Sequence, residues 1–591
     1  MPASRPPSEG EAEVEMNGFD CHLAGLLDRR TLLRWLAGTA ILPVLPGCTT
    51  RPLSPGACTS LGVNKVIDVH CHFFNASDVS VDGFVRYVVL EEERELVDPG
   101  PAVAKVGKVV GALLVLLLKI LTARTILAAD EAENLKLNRQ RESDKELDAR
   151  QTDVVSDALL VIDKLYREGE RTKVATAGGM VEPDYGDLLS QIYVEAGVVT
   201  VKADQPLTKE RAVQVTRSLK GRGSKLARYI DFARLLLGSR EAIAREYVRV
   251  FANNGCVKMV TPSFLDMHRW LGAPPASSIE TQVAVMDELQ QTMFDTTGIH
   301  MHSMVGFDPR RAAEDRHVMK VVEHAIFDCG FVGVKLYPPM GFRPIKNENL
   351  RVPVKPTGPS GQILDDTLIT LYRWCAKKGV PIMAHAEDSL GAECEFGKRA
   401  SPEWWGRVLA QEGLSKLRIN LAHFGGFDEV LNVGKYQRKG LRCKGDEFSG
   451  EAWEDIIGKI IKDDQREYLF ADLSYLSELA IPTDDDERDK RPEILRLLEQ
   501  FRENYDPDVR HLMYGTDWTM TAKELDNNNY LENLETQIRL ADFTDAQLEN
   551  VYWRNASRYL GLGRGEQTRG RLERYCHHRG IDPLWLASFD T

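Results

Sequence analysis

The chain has 591 residues, of which 43% are hydrophobic and 28% are charged, a composition typical of folded globular proteins. Lysine and arginine together number 75 against 88 aspartates and glutamates, which gives a formal net charge of -13. Because nucleic acids are polyanions, this acidic balance disfavours them as partners, and the composition also excludes wholesale disorder.

The first 60 residues are predicted to be an export signal and a linker. Arg29 and Arg30 precede an apolar stretch at residues 35–46, which is shorter than the roughly 20 residues that a membrane-spanning helix needs. This arrangement resembles a twin-arginine signal, and LPGC at residues 45–48 resembles a lipoprotein cleavage box with Cys48 as the lipidated residue. We expect a protein exported by the twin-arginine route, periplasmic or anchored to the membrane. The alternative is a cytoplasmic protein with an untargeted N-terminal arm.

Ten cysteines are scattered along the chain without C-x-x-C pairs. Their spacing indicates neither a zinc ribbon nor a disulfide framework. Several lie inside apolar runs, so we expect small buried hydrophobic side chains at these positions.

The first predicted strand, in VIDVHCHF, ends in two histidines. Side chains alternate across a strand, so His70 and His72 leave the same face while Cys71 faces away. Two convergent imidazoles are half of a divalent metal site.

A long helical insertion is predicted after this strand. The next convincing strand is in CVKMVTPSF, at residues 257–260, and the interval before it is too long for a loop. Residues 109–118 are the most apolar segment of the chain. They fit a buried helix, an interfacial helix on a membrane or an oligomer contact, and the sequence leaves all three open.

Four later apolar runs also end in residues that could serve a metal site. Lys335 lies in GFVGVKLYPP, His385 in PIMAHAED, His423 in INLAHFGG and Asp517 in HLMYGTDW. A single such histidine is usually structural, but five runs in one chain favour a shared site. The intervening segments are predicted as helices at 278–296, 318–329, 371–378 and 494–504, strands at 298–305 and 468–473, a loop at 340–364 and an insertion at 427–462.

This ordered set of His-x-His, Lys, His, His and Asp resembles the amidohydrolase superfamily of metal-dependent barrel enzymes. GFVGVKLYPP, AHFGG and NVYWRNASRYLGL resemble its amidohydrolase-related branch, which includes hydrolases and decarboxylases. The resemblance covers residues 63–562 and implies an α/β fold, a (β/α)8 TIM-type barrel with a large helical insertion after strand 1. Because loops after strands lie on the active-site face of such barrels, residues 74–255 are expected to cap the metal. Residues 563–591 form a C-terminal extension.

The family pattern implies which residues bind the divalent metal, and zinc is the metal we expect. His70, His72, His385 and Asp517 hold one ion in the mononuclear form, in which His423 acts on the substrate. In the binuclear form a carbamylated Lys335 bridges two ions and His423 binds the second. A bound divalent metal lowers the pKa of water from about 15.7 to roughly 7, and Asp517 can accept the proton. The sequence leaves open whether the site holds one metal ion or two.

Three residues on the active-site side are candidates for substrate binding. Arg343 lies in a loop rich in proline and glycine, where its guanidinium could clamp a carboxylate with two hydrogen bonds. Tyr337 and Trp518 each follow a ligand-bearing strand.

The expected function is hydrolysis of a C–N, C–O ester or lactone bond of a small molecule through a metal-activated water. The alternative is decarboxylation of an aromatic or enol carboxylic acid at the same kind of site. A non-catalytic binding barrel is less favoured because every ligand of the pattern is present. The expected partner is a small-molecule substrate. The sequence leaves open whether a lipid anchor attaches the protein to a membrane and whether several copies of the chain form an oligomer.

Overall fold

The computed structural model describes most of the chain from residue 63 onward. The described residues are 63–80, 120, 122–139, 141–168, 174–176, 179–181, 185–197, 206–222, 224–271, 274–348, 350, 359, 361–388, 396–427, 451–463, 467–480, 489–524 and 529–590. They belong to a unit that spans Pro52–Thr591. The predicted export signal, Cys48 and the apolar segment at 109–118 lie outside the described residues. None of the described helices is long and apolar enough to cross a membrane.

Parallel strands form the centre of the fold. The strands are β1 (Val66–Cys71), β2 (Val174–Thr176), β3 (Gly179–Val181), β4 (Val257–Pro262), β5 (His300–Met301), β6 (Met304–Gly306), β7 (Gly333–Leu336), β8 (Ile382–Glu387), β9 (Ile419–Gly425), β10 (Leu469–Asp472) and β11 (Leu512–Met513). Parallel pairing runs β1–β4–β5 and β6–β7–β8–β9–β10–β11. The short strands β5 and β6 follow each other along the chain and together take the third position. The predicted single strand at 298–305 is therefore interrupted.

The two parallel sheets close into one ring through further backbone contacts. An isolated bridge between Ser263 and Met304 joins the end of β4 to β6. A second bridge, between Cys71 and Trp518, joins β1 to the segment after β11. The closed ring of eight strand positions confirms the predicted (β/α)8 barrel. It also places the first and last strands, which carry predicted ligands, side by side.

Helices follow the strands around the ring. They are α1 (Ala128–Lys136), α2 (Asp144–Arg167), α3 (Tyr185–Glu195), α4 (Lys209–Leu219), α5 (Lys225–Leu235), α6 (Arg240–Phe251), α7 (His268–Leu271), α8 (Ile279–Thr297), α9 (Pro309–Glu314), α10 (His317–Phe327), α11 (Gly361–Lys378), α12 (Pro402–Leu409), α13 (Trp453–Asp463), α14 (Ser477–Ala480), α15 (Arg491–Asn504), α16 (Tyr530–Leu540), α17 (Asp545–Glu549), α18 (Asn555–Leu560) and α19 (Gln567–Arg579). The ends of α8 show why such segments are helical. The Ser278 side chain accepts the Thr281 N–H at its start, and Gly298 ends it with a left-handed φ of 72°.

The helix before β8 begins earlier than predicted. The sequence predicted a loop to residue 364 and a helix at 371–378, but α11 starts at Gly361. Leu364, Leu368 and Leu371 are buried at helical spacing, so their apolar stripe extends the helix toward its N-terminus. A Cβ at Gly361 would lie 1.8 Å from the Asn347 carbonyl oxygen, so only glycine fits there.

An apolar cluster fills the barrel beneath the ligand positions. It joins Ile67, Met259, Met304, Met383, Phe470 and Met513 from six strand positions. Trp553, from the last turns of the barrel, belongs to the same cluster. Met383 lies two residues before His385 in β8, so this cluster forms a floor on the N-terminal side of the site.

One cysteine departs from the sequence expectation. Cys71, Cys329, Cys375 and Cys576 are free and buried, as small hydrophobic side chains would be. Cys256 is disulfide-bonded, which the spacing of the cysteines did not indicate. Disulfide pairing depends on which residues the fold brings together, so spacing in a long chain carries little information about it.

The described residues between β1 and β4 form the helices α1–α6 and the antiparallel hairpin β2–β3. Helix α6, the last of them, lies against the barrel. The ring centroid of Phe251, in this helix, is 5.5 Å from that of Trp518. Before the helix, the Leu236 carbonyl oxygen accepts the N–H of Ala76, just after β1, at 3.0 Å. The position of the insertion over the metal as a cap remains a prediction.

A buried ion cluster fixes the first residue of α6. Arg240 is 1% exposed. Its guanidinium donates to the carboxylates of Asp78, at 2.9 Å from Nε, and Glu131, at 2.7 Å from Nη1. It also donates to Ser77 Oγ at 3.1 Å. Since Asp78 lies near the start of the insertion and Glu131 lies in α1, the cluster joins α6 to two earlier parts of the insertion.

Arg240→Met is expected to lower the free energy of unfolding by about 3–5 kcal/mol, because it leaves two buried carboxylates without their cation. Arg249→Met is the matched control in the same helix. Arg249 is largely exposed and pairs with Glu246 at the surface, so its loss should cost less than about 1 kcal/mol. Chemical denaturation of both variants measures the difference. Equal losses would show that the buried cluster contributes no more than a surface pair.

Candidate metal centre

The structure brings three predicted ligands together at the junction of the first and last strands. The Oδ1 atom of Asp517 lies 3.1 Å from His72 Nε2 and 3.5 Å from His70 Nε2. All three side chains are buried. The Asp517 N–H donates to the His70 carbonyl oxygen at 2.7 Å, so strand pairing itself sets the position of this carboxylate.

Hydrogen bonds behind the two histidines orient their rings. His72 Nδ1 lies 2.8 Å from the Ser263 carbonyl oxygen, which can only accept, so Nδ1 carries the proton. His70 Nδ1 lies 2.8 Å from Ser474 Oγ and 3.3 Å from Asp472 Oδ1. In both rings this leaves the Nε2 lone pair facing inward, as in histidines that bind metal.

The Asp517 carboxylate oxygen lies within 3.5 Å of both Nε2 atoms, and such electron-rich atoms repel one another unless a cation lies among them. Burial lowers the pKa of His70 to about 3, with a further contribution from the Lys335 ammonium, so the ring is neutral. Neutral imidazole and carboxylate are the forms that bind divalent metals. His70, His72 and Asp517 therefore fit a divalent cation.

Lys335 lies inside this site. Its Nζ is 3.0 Å from His70 Nε2 and 3.2 Å from Met383 Sδ. Burial lowers the pKa of Lys335 to about 8, while the carboxylates of Asp472 and Asp517 oppose the shift. The amine is therefore mainly cationic at neutral pH, with a larger neutral fraction than an ordinary lysine.

The other two predicted histidines form a second group. The rings of His385 and His423 have centroids 4.6 Å apart, and with Glu387 they could hold a metal ion. Burial, followed by the charges of His423 and Lys335, lowers the pKa of His385 well below its usual value. The sequence predicted the two histidines but not Glu387.

Two further residues of the site, besides Glu387, were missed by the sequence reasoning. Asp472, at the end of β10, is completely buried and accepts the His423 N–H at 3.1 Å and the Asn420 amide at 2.6 Å. Ser474 Oγ lies 2.8 Å from His70 Nδ1 and 3.0 Å from His423 Nδ1, so it links the two groups. Asp472 ends the apolar run of YLFADL, which is the same signal that identified the other strand ends.

Asp472→Asn is expected to weaken zinc binding by about 10–100-fold, the usual cost of removing a carboxylate that orients a metal-binding histidine. The matched control is Asp163→Asn. Asp163 is also a buried carboxylate that accepts a backbone N–H, from Leu207 in the insertion. Competition with a chelator measures the zinc Kd of both. An unchanged Kd for Asp472→Asn would mean that Ser474 alone orients His70.

Two ligand positions have unusual backbone conformations. His423 has a φ of 70° and Asp517 a φ of 53°, both in the left-handed region that residues other than glycine rarely adopt. Each such residue costs of order 1–3 kcal/mol and persists only where the surrounding structure holds it. Strand ends shaped in this way are typical of functional sites, and the sequence contains no signal for them.

The three predicted substrate-binding residues occupy different surroundings. Tyr337 lies in the site, with its ring centroid 4.5 Å from that of His385. The guanidinium of Arg343 lies over the ring of Trp404, 4.3 Å from its centroid. Trp518 is 2% exposed and packs on Phe251, so its side chain supports the end of β11 rather than lining an open surface.

Residues 312–562 match the family model described as amidohydrolase. The match supports the superfamily that the motifs indicated. No curated protein matches the chain significantly.

Solved structures of low similarity include decarboxylases and an amidohydrolase. A 5-carboxyvanillate decarboxylase from Sphingomonas paucimobilis is 13% identical, with 53% of this chain and 82% of that chain covered at a TM-score of 0.32. A zinc-bound amidohydrolase from Burkholderia multivorans is 10% identical, with 53% and 87% covered at 0.34. A manganese-bound dihydroxybenzoic acid decarboxylase from Polaromonas is 13% identical, with 57% and 91% covered at 0.32. Likenesses this distant do not bear on the function of the chain.

Proposed function

We propose that this chain, which matches the amidohydrolase family model over residues 312–562, is a metal-dependent decarboxylase of an aromatic or enol carboxylic acid. The observation that carries the proposal is the Lys335 amine, 3.0 Å from His70 Nε2 in a buried site. As an unmodified ammonium it provides a fixed positive charge for a substrate carboxylate. An unmodified lysine is compatible with a site that holds a single metal ion. We propose zinc for this ion, with His70, His72 and Asp517 as its ligands.

Decarboxylation breaks the bond between the substrate carbon and its carboxylate, releases carbon dioxide and places a proton on that carbon. Asp517 is the group assigned to pass this proton to the carbon, since its carboxylate lies beside both histidines. A divalent cation, when bound, stabilises negative charge on the substrate oxygens as a Lewis acid. The ligand residues are at most 6% exposed, which limits the water available for a competing hydrolysis.

Hydrolysis of a C–N, C–O ester or lactone bond is the second candidate. The group formed by His385, Glu387 and His423 favours it, because these residues could hold a second ion. The pKa of Lys335, lowered to about 8 by burial, also favours reaction of its amine with carbon dioxide. A carbamate on this lysine would bridge two ions, as in the binuclear form of the superfamily.

Metal content and product analysis decide between the two reactions. Protein purified without chelator is assayed for zinc per chain, for carbon dioxide release from hydroxybenzoates and enol acids, and for hydrolysis of esters, amides and lactones. Mass spectrometry under mild conditions reads the state of Lys335. One ion, an unmodified lysine and release of carbon dioxide support the decarboxylase. Two ions, a carbamate and hydrolysis without carbon dioxide release would replace it with the hydrolase.

Substitution of the lysine adds a second arm to this experiment. Lys335→Met should raise KM for carboxylate substrates while Lys320→Met, at an exposed position of α10, should not. Equal kinetic constants for the two variants would remove the role assigned to the Lys335 charge.

We further propose that the protein is exported by the twin-arginine route and anchored by lipid on Cys48. The disulfide-bonded state of Cys256 supports this, since disulfides persist mainly in oxidising compartments. A reporter fused to the first 60 residues should be exported, and changing Arg29 and Arg30 together to Lys should block export. Export of the double variant would indicate another route, and a product without lipid on Cys48 would exclude the anchor.

A further inference from the structure

A buried carboxylate joins the two strands that carry the first metal group. Asp68 in β1 is 0% exposed. Its Oδ1 accepts the His70 N–H at 3.1 Å and the Thr516 N–H at 3.2 Å, and its Oδ2 accepts the Thr516 hydroxyl at 2.7 Å. Through these bonds one side chain fixes the backbone at His70 and at the residue before Asp517.

The fourth donor to Asp68 comes from the insertion. The Tyr247 hydroxyl, on α6, donates to Asp68 Oδ2 at 2.8 Å across 179 positions of the chain. Tyr247 is completely buried, and its ring centroid lies 5.3 Å from that of Phe73, just beyond β1. The hydroxyl therefore has a defined place in the packing between α6 and the metal-bearing strand.

The same helix supports the other side of this junction. Phe251, one turn after Tyr247, packs on Trp518, and the Trp518 carbonyl oxygen accepts the His72 N–H. Helix α6 thus contacts β1 through Tyr247 and the segment after β11 through Phe251. The insertion and the ligand-bearing ends of the two strands are packed as one structure.

We infer that Tyr247 is a positioning residue for the metal centre, whose hydroxyl completes the four hydrogen bonds by which Asp68 holds His70 and the Thr516–Asp517 segment in register. Without the hydroxyl, Asp68 Oδ2 keeps only the bond from Thr516, so the two segments that Asp68 joins are held by a less fully hydrogen-bonded carboxylate. Displacing ligands by a fraction of an ångström weakens metal binding. The inference rests on the metal centre of the proposed function and not on its reaction class.

The test compares Tyr247→Phe with Tyr372→Phe. Tyr372 is also completely buried and donates one hydrogen bond, to the Pro344 carbonyl oxygen at 2.9 Å, at a distance from the ligand strands along α11. Zinc Kd is measured by chelator competition and Tm by circular dichroism on the full chain. Tyr247→Phe should raise the zinc Kd at least about tenfold, as loss of other groups behind metal ligands does. Tyr372→Phe should lower Tm to a similar extent and leave the Kd within twofold.

Two results would overturn the inference. One is a wild-type zinc Kd for Tyr247→Phe. The other is an equal increase in Kd for both variants, because the effect would then be a general loss of stability. If Tyr247→Phe does not fold, Thr516→Val removes the other donor to the same oxygen and must raise the Kd for the inference to stand. His70→Ala separates this inference from the metal centre itself. If His70→Ala loses zinc and Tyr247→Phe does not, only the role of Tyr247 is wrong.

Discussion

His70→Ala is expected to abolish tight zinc binding and turnover while the barrel stays folded. The substitution removes one of the two imidazoles that lie within 3.5 Å of the Asp517 carboxylate oxygen. Loss of a group that only orients a ligand already costs 10–100-fold in affinity, and loss of the ligand itself should exceed that range. Chelator competition and turnover measure the effect, and circular dichroism monitors the fold.

The matched control for His70→Ala is His324→Ala, in the outer helix α10, where the imidazole is exposed and contacts Asp328. This variant should bind zinc with the wild-type Kd. A His70→Ala protein with full zinc occupancy and turnover would remove the metal centre assigned to His70, His72 and Asp517.

Asp517→Asn should lower kcat by about 10² to 10⁴, the usual contribution of a group that transfers a proton in the reaction. Asparagine has nearly the same shape, so the hydrogen bond of the residue 517 N–H to His70 is retained. Part of the zinc affinity should remain, because the two histidines are unchanged. Steady-state kinetics across the pH range, together with zinc titration, separate these effects.

Asp508→Asn is the control for the second substitution. Asp508 is exposed, in the segment that leads into β11, and its loss should leave kcat and zinc affinity unchanged. Near wild-type kcat for Asp517→Asn at every pH would show that another group supplies the proton.

The barrel and most of the ligand positions could be predicted because each ligand ends an apolar run. His70 and His423 lie in strands buried along their whole length, and the strand of His385 is buried up to its last residue, so composition alone marks the strand ends. Asp472 carries the same signal and was missed, since no metal-binding role had been assigned to its strand. The start of α11 was placed too late because proline and glycine before it outweighed the leucine stripe.

Contacts between distant parts of the chain were beyond sequence reasoning. The hydrogen bond from Tyr247 to Asp68 joins residues 179 positions apart, and the sequence around neither residue predicts this contact. The left-handed backbone at His423 and Asp517 is imposed by surrounding strands rather than by the residue types. The disulfide state of Cys256 likewise depends on folded proximity.

The attachment of α6 through Arg240 and Tyr247 implies that zinc binding and the docking of this helix are thermodynamically linked. Arg240 holds the helix to the segment after β1, and Tyr247 holds it to Asp68. Any opening that pulls α6 away also loosens the ligand strands, so the open state binds zinc less well. Zinc at 100 times its Kd should then disfavour that opening by up to about 2.7 kcal/mol. Proteolysis or hydrogen exchange within α6 would slow as zinc is added, which makes this helix a reporter of metal occupancy in the protein.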